Sequence, residues 1–263
     1  MANAGNSTLL EPLGQLSIVI PCLNEERYIG TLLKCLARQT FQNFEVIVVD
    51  GNSKDETCAV VERVSSSLPP LSGKVRCAAA PVQGAAAQRN FGVTLANHER
   101  LVFFDADVQI PYRFLETTLS EIRRLGLDMA TTVFEPISER VDDRLIYSIG
   151  NLYIQLQQYL KPVAMGFCIF TTKTVHQAIG GFDEGLKLGE DYDYVHRAAE
   201  LAVSFKVLTR ERAYVSIRRL KKEGRLTYYQ KAVMAELLSL VKDRKGASDL
   251  IEYEMGDHDA AAK

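Results

Sequence analysis

No apolar run in the sequence approaches the roughly 20 residues a helix needs to cross a bilayer, so no membrane-spanning segment is expected. A signal peptide is missing too: the opening MANAGNSTLLEPLGQ has neither a basic start nor a long apolar stretch, and residues 1–15 read as a loose leader. Excess positive charge is also lacking. With 31 Lys and Arg against 33 Asp and Glu the formal net charge is -2, which offers no basic field for wrapping nucleic acid. There is no C-x-x-C pair and no histidine cluster of metal-binding spacing, and no G-x-G-x-x-G follows the first apolar run, which speaks against a dinucleotide-binding oxidoreductase. The five cysteines, Cys22, Cys35, Cys58, Cys77 and Cys168, are odd in number and scattered among apolar neighbours. They read as reduced core residues of a cytoplasmic protein. Internal repeats, low-complexity stretches and linkers are absent, so residues 16–245 read as one domain and 246–263 as a tail.

What is present is the ordinary balance of a globular chain: 263 residues, 47% hydrophobic and 24% charged. LSIVI (16–20), FEVIVV (44–49) and RLVFF (100–104) read as buried strands, the first ended by Pro21, and VRCAAA (75–80) reads as a strand on a weaker pattern. Between them lie helical patterns. Asn24 is placed to cap a helix carrying Ile29, Leu32, Leu33 and Leu36, and Ser53 with Glu56 has capping-box spacing for a second. GAAAQRNFGVTLAN (84–97) gives a third. Further on come a proline-opened helix from Pro111, a strand MATTVFE, a long helix 140–160 with a broad apolar face, a strand GFCIFTTK, the short helix TVHQAIGG, a helix 190–201, and two short strands, SFKVL and AYVSI. An amphipathic helix from Leu226 to about Val241 closes the pattern. Strand alternating with helix predicts an α/β fold with a mainly parallel sheet, and in such sheets ligands sit beyond the carboxyl ends of the strands.

That rule draws attention to the residues just after the strands: Cys22 to Glu25, Asp50 to Ser53, and Asp105 to Asp107. The last set, in FFDADVQIP, puts two hard oxygen ligands at the end of a buried run, as suits Mg²⁺ or Mn²⁺ bridging a diphosphate. On its own a D-x-D pair is as readily a surface turn.

Taken in order, LSIVIPCLNEE, FEVIVVDGNSKDET, GAAAQRNFG, FFDAD, GGFDEG and GEDYDYVHRA resemble the GT-A fold family-2 glycosyltransferases, from about Leu16 to Arg218. The resemblance implies a nucleotide-diphospho-sugar transferase fold and an inverting, metal-dependent transfer from a nucleoside-diphosphate sugar, uridine by default, to an acceptor that is a saccharide or lipid-linked. Pro21, Asn24 and Glu25 match the segment lining base and ribose. Asp50, with Asn52 beside it, matches the acid that hydrogen-bonds the base. Asp105 and Ala106 fall near ribose and diphosphate, Asp107 matches the metal-holding acid, and Arg89 matches a position near the nucleotide, its plainer reading being a surface arginine. Asp191 matches the general base, with Glu190 orienting the acceptor or a loop, while Asp193 reads as a solvated side chain. Gly166, followed by Phe167, matches an acceptor-facing position, and Arg218 with Arg219 a paired-arginine segment that closes over donor or acceptor phosphate. A solvated basic turn is the plainer reading of that pair.

Many relatives continue into transmembrane helices or a second domain, whereas this chain ends in the single amphipathic helix. Three uses are open to it: packing on its own core, pairing in a homodimer, or lying on the cytoplasmic face of a membrane. Two other functions stay in view. FFDADVQ also looks like the nucleophile motif of haloacid-dehalogenase-type phosphatases, although that motif normally follows the first strand and here the acids crown the fourth. A non-catalytic nucleotide-sugar-binding protein is the other.

Overall fold

The apolar runs become strands, those at 16–22, 44–50 and 100–104 buried almost throughout and that at 75–79 part-exposed at an edge of the sheet. In the computed structural model, which describes residues 13–186, 189–225 and 227, these are β1 (Leu16–Cys22), β2 (Phe44–Asp50), β3 (Val75–Ala79), β4 (Arg100–Phe104), β5 (Met129–Pro136), β6 (Cys168–Thr172) and β7 (Phe205–Val215). They form a single sheet in the order β3-β2-β1-β4-β6-β5-β7. Strands β3, β2, β1 and β4 are mutually parallel, β5 and β7 are parallel, and β6 runs antiparallel to both β4 and β5. The helices are α1 (Ile29–Ala37), α2 (Thr57–Ser67), α3 (Ala85–Leu95), α4 (Phe114–Leu125), α5 (Val141–Gln157), α6 (Lys173–Ala178), α7 (Glu190–Glu200) and α8 (Arg218–Glu223). None of the described helices is long and apolar enough to cross a membrane. The amphipathic helix expected from Leu226 to Val241 lies, but for Thr227, outside the described residues.

Alternation along the strands sends Leu16, Ile18, Ile20, Val46 and Val48 to one side, with α1 and α4, and Val19, Ile47, Val49, Leu101 and Phe103 to the other. That period of two is what a doubly covered sheet requires. On the second side α3 approaches so closely that a Cβ at Gly92 would stand 2.3 Å from Val19 Cγ1 and 3.1 Å from Val49 Cγ2. Gly92→Ala should therefore destabilise the fold by about 2 kcal/mol, an overpacking cost of about 3 kcal/mol outweighing a helix-propensity gain of about 1 kcal/mol. Urea unfolding reads this directly; an unchanged or higher midpoint would contradict so close an approach.

Several local expectations are corrected. Pro21 does not end β1: Leu16 N–H donates to Asn43 O and Cys22 O accepts Gly51 N–H, so the even residues face β2 and Pro21 faces β4. Pairing with β4 stops at Val19 and Phe103, so the missing proline N–H breaks no ladder. Asn24 is not the cap of α1, whose cap position is Tyr28, and Ser53 with Glu56 forms no capping box, since Ser53 bonds to Asp50 and the Thr57 N–H goes to Asp55. Pro111 sits in the turn before α4 rather than opening it. SFKVL and AYVSI belong to the single strand β7, which a register shift opposite Thr132 and Val133 made look like two. Cys58 and Cys77 are disulfide-bonded, with Cα atoms 6.1 Å apart, because the first turn of α2 packs on β3; Cys22, Cys35 and Cys168 are free. The apolar stripe of α5 faces away from the sheet, while Asp143 and Ile154 are its buried residues.

Candidate active site

The chain steps from β1 outward through β2 to β3, then crosses back to place β4 on the other side of β1. Loops leaving β1 and β4 therefore diverge and open a crevice at their carboxyl ends. Its floor is tied by Gln88 of α3, whose Nε2 donates to Cys22 O (2.8 Å) and Val49 O (2.7 Å) at the ends of β1 and β2. Gly51 leaves room for it, since a Cβ there would meet Gln88 Oε1 at 2.9 Å.

One side of the crevice is built from the loops after β1 and β2, laced to each other. Asn24 N–H donates to Ser53 Oγ (2.9 Å), and Asn24 Oδ1 accepts the Lys54 N–H (2.8 Å). Glu25 N–H donates to Thr57 Oγ1 (2.8 Å). Asn24 and Asn52 hold left-handed φ values of 55° and 68°, which asparagine tolerates better than most residues. Asp50, nearly buried at the end of β2, accepts the Ser53 N–H (3.0 Å) and the Ser53 hydroxyl. Pro21 and Ala106 are buried and shape the backbone beneath.

Arg218, at the start of α8, closes this side. Its guanidinium takes both oxygens of Glu25 (Nη1 to Oε2, 2.8 Å), places Nε 3.1 Å from Asp107 Oδ2, and lies 4.5 Å from the ring centre of Tyr28. Burial pushes the Glu25 carboxyl up to about 7 against the pull of Arg218, with Asp107 and Asp105 adding to the rise. Asp107 is likewise raised by burial, opposed by Arg218 and more weakly by Arg219, whose charge reaches it. Arg218 is thus a member of an acidic cluster rather than a solvated turn residue.

The other side is α7. Glu190 and Asp191 open it after Gly189 in a left-handed conformation. Asp191 Oδ2 accepts the Gly166 N–H at 2.6 Å and Oδ1 the Tyr192 N–H at 2.9 Å. Burial, then the neighbouring Glu190 carboxylate, raises the Asp191 carboxyl to about 7, while Arg89 and the two N–H groups pull it down. Gly166 allows this contact: a Cβ there would stand 2.8 Å from Arg89 Nη2 and 3.3 Å from Asp191 Oδ2.

Arg89 joins the two sides. It is not a surface cation: its side chain is 3% exposed, with Nη2 2.9 Å from Asp105 Oδ1 and Nη1 2.8 Å from Glu190 Oε1. A longer contact of 3.4 Å reaches Gly166 O. Charge-assisted pairs of this length in a desolvated position are strong and orienting. Asp105 therefore faces Arg89, Asp107 faces Arg218, and the two acids of D-A-D link the Glu25 side to the Asp191 side.

The structure brings the acids that the sequence pointed to into one crevice, together with Gln88 and the Gly166 N–H, which the sequence did not single out, and gives Ser53 a place in it as the partner of Asp50. Ser53 three residues after Asp50 was the one signal available. Phe167 packs against Phe134, ring centres 4.9 Å apart, as a core residue. Asp193 is not simply solvated: it pairs with Arg197 at 2.7 Å, which in turn donates to Gly181 O.

Comparison with known proteins shows the family and the fold. The family model described as Glycosyl transferase family 2 matches residues 17–179. Glycosyltransferase AglE of Haloferax volcanii is 27% identical over 197 residues, covering 72% of this chain and 62% of its own. The amylovoran biosynthesis glycosyltransferase AmsB of Erwinia amylovora is 32% identical over 215 residues, covering 73% and 66%. The chain thus spans about three fifths to two thirds of the length of these relatives. Among solved structures, TarS 1–349 of Staphylococcus aureus in complex with UDP-GlcNAc superposes with a TM-score of 0.60 at 23% identity, over 77% of this chain and 58% of that one. Mannosyltransferase PcManGT of Pyrobaculum calidifontis, in complex with GDP-Man and Mn²⁺, gives 0.63 at 19% identity, over 84% and 64%. At these identities the structures speak for the fold, which is of the GT-A type. With the matched segment covering more than half of its length, this chain belongs to glycosyl transferase family 2.

Proposed function

We propose that the chain moves a sugar from a nucleoside-diphosphate donor, UDP-linked, to an acceptor hydroxyl with inversion at the anomeric carbon, and that Asp191 is the general base. The observation that carries this reading is the Arg89 bridge, which ties Asp105 of the donor rim to Glu190 beside Asp191. Donor-holding acids and a carboxyl raised to about 7 thereby share one crevice. A base with a pKa near the operating pH is both available in its ionised form and strong enough to take a hydroxyl proton. Asp50, Asn24, Asn52, Pro21 and Glu25 take the base and ribose in this reading, with Asp105 and Ala106 nearer the diphosphate. Gly166 and Glu190 border the acceptor side, and Arg218 and Arg219 neutralise phosphate charge.

The rim also suits a divalent ion such as Mn²⁺ or Mg²⁺. Asp107 offers a hard carboxylate oxygen that already lies against a cationic group, the Arg218 guanidinium. Such ions are commonly held by one or two carboxylates together with substrate phosphates. No protein-only cage of three or more ligands is needed, and none occurs among the described residues. Held by Asp107, the ion would supply electrostatic stabilisation of the departing diphosphate. A phosphatase reading finds no support, since Asp105 and Asp107 are both held by arginines and follow the fourth strand.

Slow hydrolysis of the donor, with water as acceptor, tests the stereochemistry without a known acceptor. Proton NMR of an α-linked UDP-sugar incubated with the protein should show the β anomer of the free sugar first. Initial release of the α anomer would refute inversion.

A further inference from the structure

Seven of the eleven exposed large apolar side chains among the described residues lie between positions 141 and 160. Val141, Leu145, Ile149, Leu152, Leu156 and Leu160 recur every three or four residues and so form one stripe along α5 and the turn beyond it. Tyr159 stands at its far end. Their exposures run from 57% to 86%. The opposite face holds the helix to the domain through Ile154, through Asp143 bonded to Arg225, and through Tyr147 against the Phe134 ring. An exposed apolar stripe about 25 Å long is the kind of contiguous patch that marks an interaction surface.

The pattern of charge says what covers it. From Leu145 to Leu160 there is no charged residue, and the stripe is flanked by Ser148, Gln155 and Gln157. A helix that pairs with another helix in water carries charges along its flanks to set register and partner; α5 has none beyond its first turn. Charge gathers instead at the two ends. At the first turn Arg144 is exposed, with Arg140 held to Asp142, and both arginines line a cavity of about 690 Å³ with Lys221, against Glu135 and Glu139. Glu135 is itself paired with Arg212. Lys161 follows the far end. An uncharged apolar ridge, a tyrosine at its end and cations at both ends match the interface of a bilayer.

We infer that the outer face of α5 docks on a lipid surface bearing anionic headgroups, lying in the plane of the interface. Apolar side chains enter the headgroup boundary while Arg144 and Lys161 meet the phosphates. This inference does not depend on the transfer reading and uses no residue of the crevice.

Flotation of the full chain with vesicles tests it, using phosphatidylcholine alone and phosphatidylcholine mixed with phosphatidylglycerol at about 2:1. The chain should float with the mixed vesicles, less with the neutral ones, and less again as salt is raised. The double variant Leu152→Glu/Leu156→Glu, at positions open to solvent, should keep its melting temperature and its UDP affinity while losing vesicle binding by at least about tenfold. Failure of the full chain to float overturns the inference, and is what cover by residues 226–263 would give. Equal flotation of the double variant also overturns it. So does a dimer in sedimentation that the double variant splits, which would assign the face to a second copy.

Discussion

Asp191→Asn is expected to lower kcat by about 10²- to 10⁴-fold while UDP affinity stays within about twofold of wild type. The amide oxygen can still accept the Gly166 N–H that now meets Asp191 Oδ2 at 2.6 Å, while the amide NH2 gives up the contact that Oδ1 makes with the Tyr192 N–H, so the proton acceptor and one local hydrogen bond are lost. Wild-type kcat/KM should rise with pH through about 7, where the carboxyl of the free protein ionises. The variant should not show that limb. Stability should move in the opposite sense. The folded carboxyl sits at about 7 against an ordinary 3.8, so its contribution is complete below 3.8 and is lost as pH rises through about 7. Asn has no such loss. The melting temperature of Asp191→Asn relative to wild type should therefore be higher at pH 8 than at pH 3.5, in paired thermal scans. A variant with wild-type turnover would remove Asp191 from the role of base.

Asp107→Ala is expected to abolish the metal-dependent part of nucleotide binding. In calorimetry, Mn²⁺ should strengthen UDP binding to wild type, and the ratio of affinities with and without the ion should fall to about one in the variant. Turnover should drop by about 10²- to 10³-fold, the scale of losing one stabilising contact to developing charge. Folding should survive, because Arg218 keeps its two contacts to Glu25 when the contact to Asp107 goes. Retention of the full Mn²⁺ effect would place the ion elsewhere.

Much of the fold was legible beforehand because a doubly covered strand must be largely apolar, and IVI before Pro21, VIVV before Asp50 and LVFF before Asp105 are. The rule that ligands gather beyond such strands then singled out the acids without any coordinates. What escaped was whatever depends on partners distant in sequence. Nothing near Arg89 says that it is enclosed. Its burial follows from Ala86, Ala87 and Gly92, whose small size lets α3 sink onto the sheet and carry the arginine beneath the rim. The Arg218 contact with Glu25 joins opposite ends of the chain, and the Cys58–Cys77 bond joins a helix turn to an edge strand. Periodicity reports neither. In α5 the periodicity shows a broad apolar face but not its direction, since an apolar stripe implies something to cover it without implying that the cover is the protein's own core.

Anomalous diffraction from crystals grown with UDP and Mn²⁺ tests the account most directly. A manganese peak should lie within bonding distance of an Asp107 oxygen and of the diphosphate, on the side of the crevice that Asp191 faces, with Arg218 turned from Asp107 toward phosphate. A manganese peak away from Asp107, or UDP bound with Asp191 outside its crevice, would contradict it.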